Sequence, residues 1–212
     1  MCPEVFEIVQ KMDISSVETR LALQCAPVIT GIKPANLLIV SSEDGLTINR
    51  ILKDTSLRYF RLFPQDNKTI YLLFEYSLFM MYLYKPKVQH MLQAYGYGDM
   101  TLNGILETFQ CRYETYKRNG GDFPHEIGLL LGYSIEDVEG FIANKGKKYS
   151  YAGYWKVYEK VEEKKLLFEA YESAKEGLLL LVANGYEMKS IIRGIQSSKN
   201  PKDWMQAIKK QK

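Results

Sequence analysis

The chain has 212 residues, 46% of them hydrophobic and 25% charged, and 28 Lys/Arg against 25 Asp/Glu leave a net charge of +3. A chain of this length folds as one domain, or one domain with a tail, and buries roughly 70% of its unfolded surface, so it needs no disulfides to hold a core. The composition excludes disordered and fibrous classes, and three scattered cysteines (Cys2, Cys25 and Cys111) with no CxxC pair make neither a disulfide framework nor a zinc set.

In chain order, residues 3–12 are expected to form a short amphipathic helix with Val5, Phe6 and Val9 on one face. Ser15 and Glu18 have the spacing of a capping box, opening a helix to about Gln24, and Pro27, Gly31 and Pro34 then break regular structure. NLLIV at 36–40 has the length of a strand, and Thr47 to Leu57 places Ile48, Ile51 and Leu52 at helical spacing. RYFRLF at 58–63 and TIYLLFEY at 69–76 flank the turn residues PQDNK, which predicts a hairpin. SLFMMYLY reads as a buried helix, far shorter than the ~20 residues a membrane span needs. Pro86 opens another helix, to about Tyr95.

Residues 101–118 carry a clear helical stripe of Leu102, Ile105, Leu106, Phe109 and Tyr113, stopped by Gly120-Gly121. Pro124 suits the first turn of a helix bearing HEIGLLLG, and Ser134 caps a second short helix, IEDVEGFI. SYAGYWKVY is expected to be extended, with Trp155 and Val157 facing the core and Tyr154, Lys156 and Tyr158 on the other face. A long helix from Val157 to about Ala183 ends at Asn184-Gly185, and two further helices fill 187–195 and 201–210. The fold class is therefore α+β: a helix-rich single domain with a small, mostly antiparallel sheet from 36–40, 58–63, 69–76 and 151–157, and a long C-terminal helix. Residues 1–185 are expected as the globular domain and 186–212 as a basic helical extension. From Asn184 onward seven Lys/Arg stand against two Asp/Glu.

Two blocks stand out: CAPVITGIKPANLL at 25–38, and FPHEIGLLLGYSIEDVEGFI at 123–142 followed by GYWKVY at 153–158. Together they resemble a bacterial family catalogued as domain of unknown function 3793, over about residues 15–175. Ser134 stands where that family usually has proline, and Ala152 where many members are expected to carry cysteine. The resemblance implies a cytoplasmic protein of anaerobic-type bacteria and assigns no substrate or reaction.

The residues themselves offer two kinds of chemistry. Cys25 and His125 have the types needed for a thiolate nucleophile and its base, with Asn36, Glu136 or Asp137 to orient the base. The competing expectation is a buried Cys25 acting as a small hydrophobe, and a His125 that packs at a helix start. HEIGL lacks the second histidine of HExxH, with Leu129 in its place, so no metal is expected. No phosphate-binding glycine loop occurs, and no cofactor class is indicated. Lys33, Asn36, Glu126, Tyr133, Tyr154 and Lys156 are the candidate ligand-binding residues, placed around a cleft formed by the 25–36 loop and the FPHEIG and GYWKVY motifs. The leading expectation is a cytoplasmic binding or accessory protein for a small molecule or protein partner, with neither membrane nor nucleic acid as the partner. A cysteine-dependent hydrolase or transferase is the alternative. A third is an interaction protein using helix 157–183 and the basic tail.

Overall fold

A computed structural model of the chain describes residues 3–198 and is α+β, helix-rich, with a small antiparallel sheet and a long helix near the C-terminus. The chain divides into two compact units, one made of the segments up to Tyr76 and from Glu169 onward, the other of Ser77–Phe168.

The first unit begins with α1 (Pro3–Gln10) and α2 (Val17–Ile29). The N-cap of α2 is Ser16, whose hydroxyl accepts the Thr19 N–H at 3.2 Å, one residue later than the spacing with Glu18 suggests. The reason is local: both the N–H and the hydroxyl of Ser15 are engaged by Asp13 Oδ1. The helix also runs past Pro27 to Ile29 instead of ending near Gln24. A proline this close to a C-terminus removes one intrahelical bond, and the Pro27 carbonyl is then capped by the N–H groups of Ile32 and Lys33, both at 2.9 Å.

Next come β1 (Ala35–Ser41), a short 3₁₀ turn, α3 (Gly45–Leu52), β2 (Leu57–Gln65) and β3 (Lys68–Glu75). Helix α3 stops before Leu57 because Asp54 takes a left-handed conformation, φ 65°. The strands form one antiparallel sheet in the order β1-β3-β2, with Leu38 opposite Tyr71 and Phe60 opposite Leu72. Central β3 is buried almost throughout, which explains why TIYLLF is a continuous apolar run and not an alternating one. The core of this unit joins Leu21, Cys25 and Ala26 of α2 to Leu38, Ile48 and Leu73. Leu178 and Leu179, from the C-terminal part of α9 (Val161–Ala183), and Ile191 and Ile192 of α10 (Met188–Ser197) complete it. Thus α10, at the start of the basic segment, contributes to this core. The expected helix at 201–210 lies outside the described residues.

The second unit contains most of α4 (Tyr76–Leu83), then α5 (Pro86–Ala94), α6 (Leu102–Asn119), α7 (Ile127–Leu130) and α8 (Ile135–Ala143), and the start of α9. Helix α4 is less buried than its composition suggests: Phe79 and Leu83 are inside, yet Met81 is 71% exposed. Residues 151–157 do not join the main sheet. They fold as a separate hairpin, β4 (Tyr151–Ala152) with β5 (Lys156–Val157), because Gly153 to Trp155 turn the chain and the Gly153 N–H bonds the Trp155 carbonyl at 3.1 Å. Helix α9 starts at Val161, four residues after Val157, because Lys160 is left-handed and the Tyr158 and Glu159 N–H groups bond the Asp137 carboxylate.

Candidate functional site

Helix α6 fixes one wall of the second unit. Thr101 caps it through its hydroxyl, accepting the Gly104 N–H at 3.1 Å, and Gly120 ends it at φ 73°. The chain then returns along the same helix. Phe123 packs edge-on against Tyr116 and Tyr113, with ring centroids 5.4 and 6.2 Å away, and His125 lies between Phe123 (5.5 Å) and Phe141 (5.3 Å).

Glu126 is 1% exposed and holds this return in place. Its Oε1 accepts Arg112 Nε at 2.5 Å and the Tyr97 hydroxyl at 3.3 Å, whereas its Oε2 is buried with no hydrogen-bond partner among the described residues. Burial, followed by the Glu126 charge, raises the Tyr97 hydroxyl pKa far above its ordinary value, so Tyr97 stays a donor to that carboxylate. Helix α7 is consequently only one turn, and Pro124 to Glu126 precede it as a turn and not as helix.

The HEIGLLLG glycines act by close packing and turning. A Cβ on Gly128 would come within 2.9 Å of Val138 Cγ2, so the missing side chain lets α8 approach α7. Gly132, at φ 71°, makes the left-handed link between them. Tyr82 donates its hydroxyl to the Tyr133 carbonyl at 2.6 Å.

Helix α8 in turn holds the GYWKVY hairpin through Asp137. One oxygen, Oδ2, accepts Trp155 Nε1–H at 2.7 Å and the Ser134 hydroxyl; the other, Oδ1, accepts the N–H of Tyr158 at 2.7 Å and of Glu159 at 3.4 Å. The Trp155 ring stacks on Tyr133 (4.5 Å between centroids, 19° between planes) and meets Phe168 edge-on. Lys156 donates to the Gly146 carbonyl at 2.7 Å and its ammonium lies over the Phe141 and Tyr149 rings, 5.6 and 5.0 Å from their centroids.

These pieces enclose a cavity of about 320 Å³. Its walls are Phe123, His125, Ile127 and Gly128 from the first motif, Tyr133, Val138 and Phe141 after them, and Tyr154, Trp155 and Lys156 from the hairpin; Asp137 of α8, bonded to Trp155, also lines it. The site is thus assembled from two stretches separated in sequence, within one unit.

Five of the residues given a chemical role in the sequence line this cavity: His125, Tyr133, Asp137, Tyr154 and Lys156. Trp155 and Val157 are buried and Tyr154 is 38% exposed, the sides expected for them, although Tyr154 and Trp155 stand in the hairpin turn and not in a strand. Glu126 is not in the lining; it is an internal anchor. His125 makes ring contacts, and neither of its ring nitrogens has a hydrogen-bond partner among the described residues.

Lys33 and Asn36 belong to the first unit. Lys33 donates to Asn36 Oδ1, and Asn36 donates to the Gln24 carbonyl, tying the end of α2 to β1. Burial lowers the Lys33 ammonium to about 8. Cys25 is fully buried in the same unit, its Sγ–H directed to the Leu37 carbonyl at 3.6 Å. Burial pushes its thiol up to about 12, opposite to what a nucleophilic thiolate requires. His125 lies in the other unit.

Sequence reasoning missed Arg112, which sits on the exposed side of α6 and gives no signal of the carboxylate fourteen residues on. It offered Asp137, with Asn36 and Glu136, as a group to orient a histidine; the Asp137 carboxylate binds the hairpin. Phe123 and Phe141 escaped notice, although both lie in the long motif. Among the described residues, no three His, Cys, Asp or Glu side chains converge as a metal site needs, and no helix is long and apolar enough to cross a membrane.

The fold and the cavity together define a helix-rich α+β protein with an aromatic pocket built on a short helix pair and a hairpin. The family described as "Protein of unknown function (DUF3793)" matches residues 21–192, and the chain belongs to it. No curated protein and no solved structure matches the chain.

Proposed function

We propose that the protein binds a small molecule in the aromatic cavity of its second unit, as a binding or accessory protein of the bacterial cytoplasm. One observation carries this reading: both blocks of the long motif converge on a cavity of about 320 Å³ lined by Phe123, Phe141, Tyr133, Tyr154 and Trp155 with His125 and Lys156. That volume lies at the lower end of the roughly 300–1,000 Å³ typical of ligand sites, and a mostly apolar wall with a few polar groups is the usual make-up of such a site. Surface tyrosines that only solvate a strand would not line an open concavity.

The cysteine-dependent alternative has less support, because Cys25 is buried among α2, β1 and the core of the first unit and its thiol is held protonated. The interaction reading rests on the helix expected at 157–183 and the basic segment 186–212, of which residues 199–212 lie outside the described residues. Leu166 of α9 is 67% exposed, a single residue and not a docking face.

The test is protein-detected NMR with small neutral aromatic fragments, following the Trp155 indole N–H. Binding is expected to shift that resonance. Tyr154→Ala and Phe141→Ala, which remove two walls, are expected to weaken it. Fragments that leave Trp155 unshifted, or that bind equally to both variants, would refute the proposal.

A further inference from the structure

The polar groups of the cavity decide what charge its occupant carries. Asp137 supplies the carboxylate nearest Trp155, and its two oxygens already accept four donors, from Trp155, Ser134, Tyr158 and Glu159. A carboxylate saturated in this way has little acceptor capacity left for a ligand cation. Lys156 is in the reverse position. Its ammonium has three N–H donors, one hydrogen bond to the Gly146 carbonyl, and no ion-pair partner among the described residues. The Phe141 and Tyr149 rings cover it on two sides and strip part of its water. A cation held in that way interacts more strongly with an anion than one in bulk solvent. His125, which also lines the cavity, adds two ring nitrogens with no hydrogen-bond partner among the described residues.

Resting on the binding function proposed above, we infer that the ligand is a planar aromatic acid: one or two rings lying among Phe141, Tyr154 and Trp155, with a carboxylate directed to Lys156 and within the reach of a donor on His125. The ring walls alone would also accept a cationic amine through cation–π attraction. Lys156 opposes this, since its own charge already occupies the Phe141 face.

Three probes sharing one ring separate these cases: indole, indole-3-acetate and tryptamine, titrated by NMR at the Trp155 indole N–H. Indole-3-acetate is expected to bind about tenfold more tightly than indole, and tryptamine more weakly than indole. Lys156→Met is expected to erase the acid's advantage over indole, while Lys156→Arg retains it. A well-dispersed spectrum of each variant shows that it is folded. If indole binds as tightly as the acid, or tryptamine binds best, the acid inference is overturned and the binding site stands. An acid preference that survives Lys156→Met overturns it as well. If none of the three probes shifts Trp155, the binding function fails with it.

Discussion

Asp137 accepts the indole N–H of Trp155 at 2.7 Å, a bond that joins the FPHEIG–GYSIEDVEGFI block to the GYWKVY hairpin. The other carboxylate oxygen takes the Tyr158 N–H, so a single side chain fixes both the ring that walls the cavity and the backbone that leads into α9. Asp137 is 2% exposed, and removing it takes away the acceptor of the buried Trp155 indole N–H and of the partly buried Tyr158 amide. Asp137→Ala is therefore expected to cost about 2–4 kcal/mol in urea denaturation, and Asp137→Asn clearly less, because the amide keeps one acceptor. An Asp137→Ala protein as stable as the parent would show that the hairpin is held by ring packing alone.

Glu126 gives a different signature. Arg112 is 41% exposed and Glu126 1%, so the pair is asymmetric in its exposure. Arg112→Leu leaves a buried carboxylate with only Tyr97 as donor, and is expected to destabilise by about 2–3 kcal/mol, at or below the usual range for breaking a buried pair because solvent reaches Arg112. The double variant Arg112→Leu/Glu126→Leu removes the stranded charge and is expected to recover at least half of that loss. Additive losses in the double-mutant cycle would mean that the two side chains do not act as a pair.

Much of this architecture was legible in the sequence, for physical reasons that can be located. The stripe from Leu102 to Tyr113 and the β2–β3 hairpin follow from local periodicity and turn chemistry, and both stand where they were expected. The alternation in GYWKVY placed Trp155 inside and Tyr154 outside, although the strand is two residues long and pairs only with Tyr151–Ala152. What failed to be legible is side-chain traffic over distance. Nothing local marks Arg112 as the partner of Glu126. Residues chosen for their chemistry alone, Lys33 and Asn36, bond to each other and to Gln24. Burial converts a reactive residue type into a structural one, and burial is a property of the tertiary fold.

Cys25 and Lys33 make that conversion measurable. Cys111 is exposed and Cys25 buried, so iodoacetamide at pH 8 is expected to label Cys111 readily and Cys25 only after denaturation. Prompt labelling of Cys25 in the native protein would contradict its protonated, enclosed state.

The same two groups give opposite pH dependences of stability. The folded Lys33 titrates at about 8 against 10.5 for an ordinary lysine, so between these values the unfolded chain binds more protons and stability rises with pH. The folded Cys25 titrates at about 12 against an ordinary 9.0, so above pH 9 the folded chain holds the extra proton and stability falls as pH rises toward 12. Lys33→Met is expected to flatten the rise between pH 8 and 9 and Cys25→Ala the fall above pH 10.5, both read from urea midpoints. Variants with the parent's slopes would show that neither group is titrating as its burial requires.

Gly140 tests how closely the hairpin sits on α8. A Cβ there would fall 2.5 Å from Tyr158 Cγ and 2.8 Å from its Cβ, atoms near the backbone that cannot swing aside as a chain end can. In an exposed helix Gly→Ala is stabilising by up to about 1 kcal/mol. Here the sign is expected to reverse, with a loss of about 1–3 kcal/mol from overpacking. Displacing Tyr158 also pulls on its N–H bond to Asp137, which in turn holds Trp155. Gly140→Ala is accordingly expected to weaken ligand binding along with stability, whereas the double variant Gly140→Ala/Tyr158→Ala, which removes the obstructing ring, regains part of both. Stabilisation by Gly140→Ala alone would mean that the hairpin is not packed against α8 at that point.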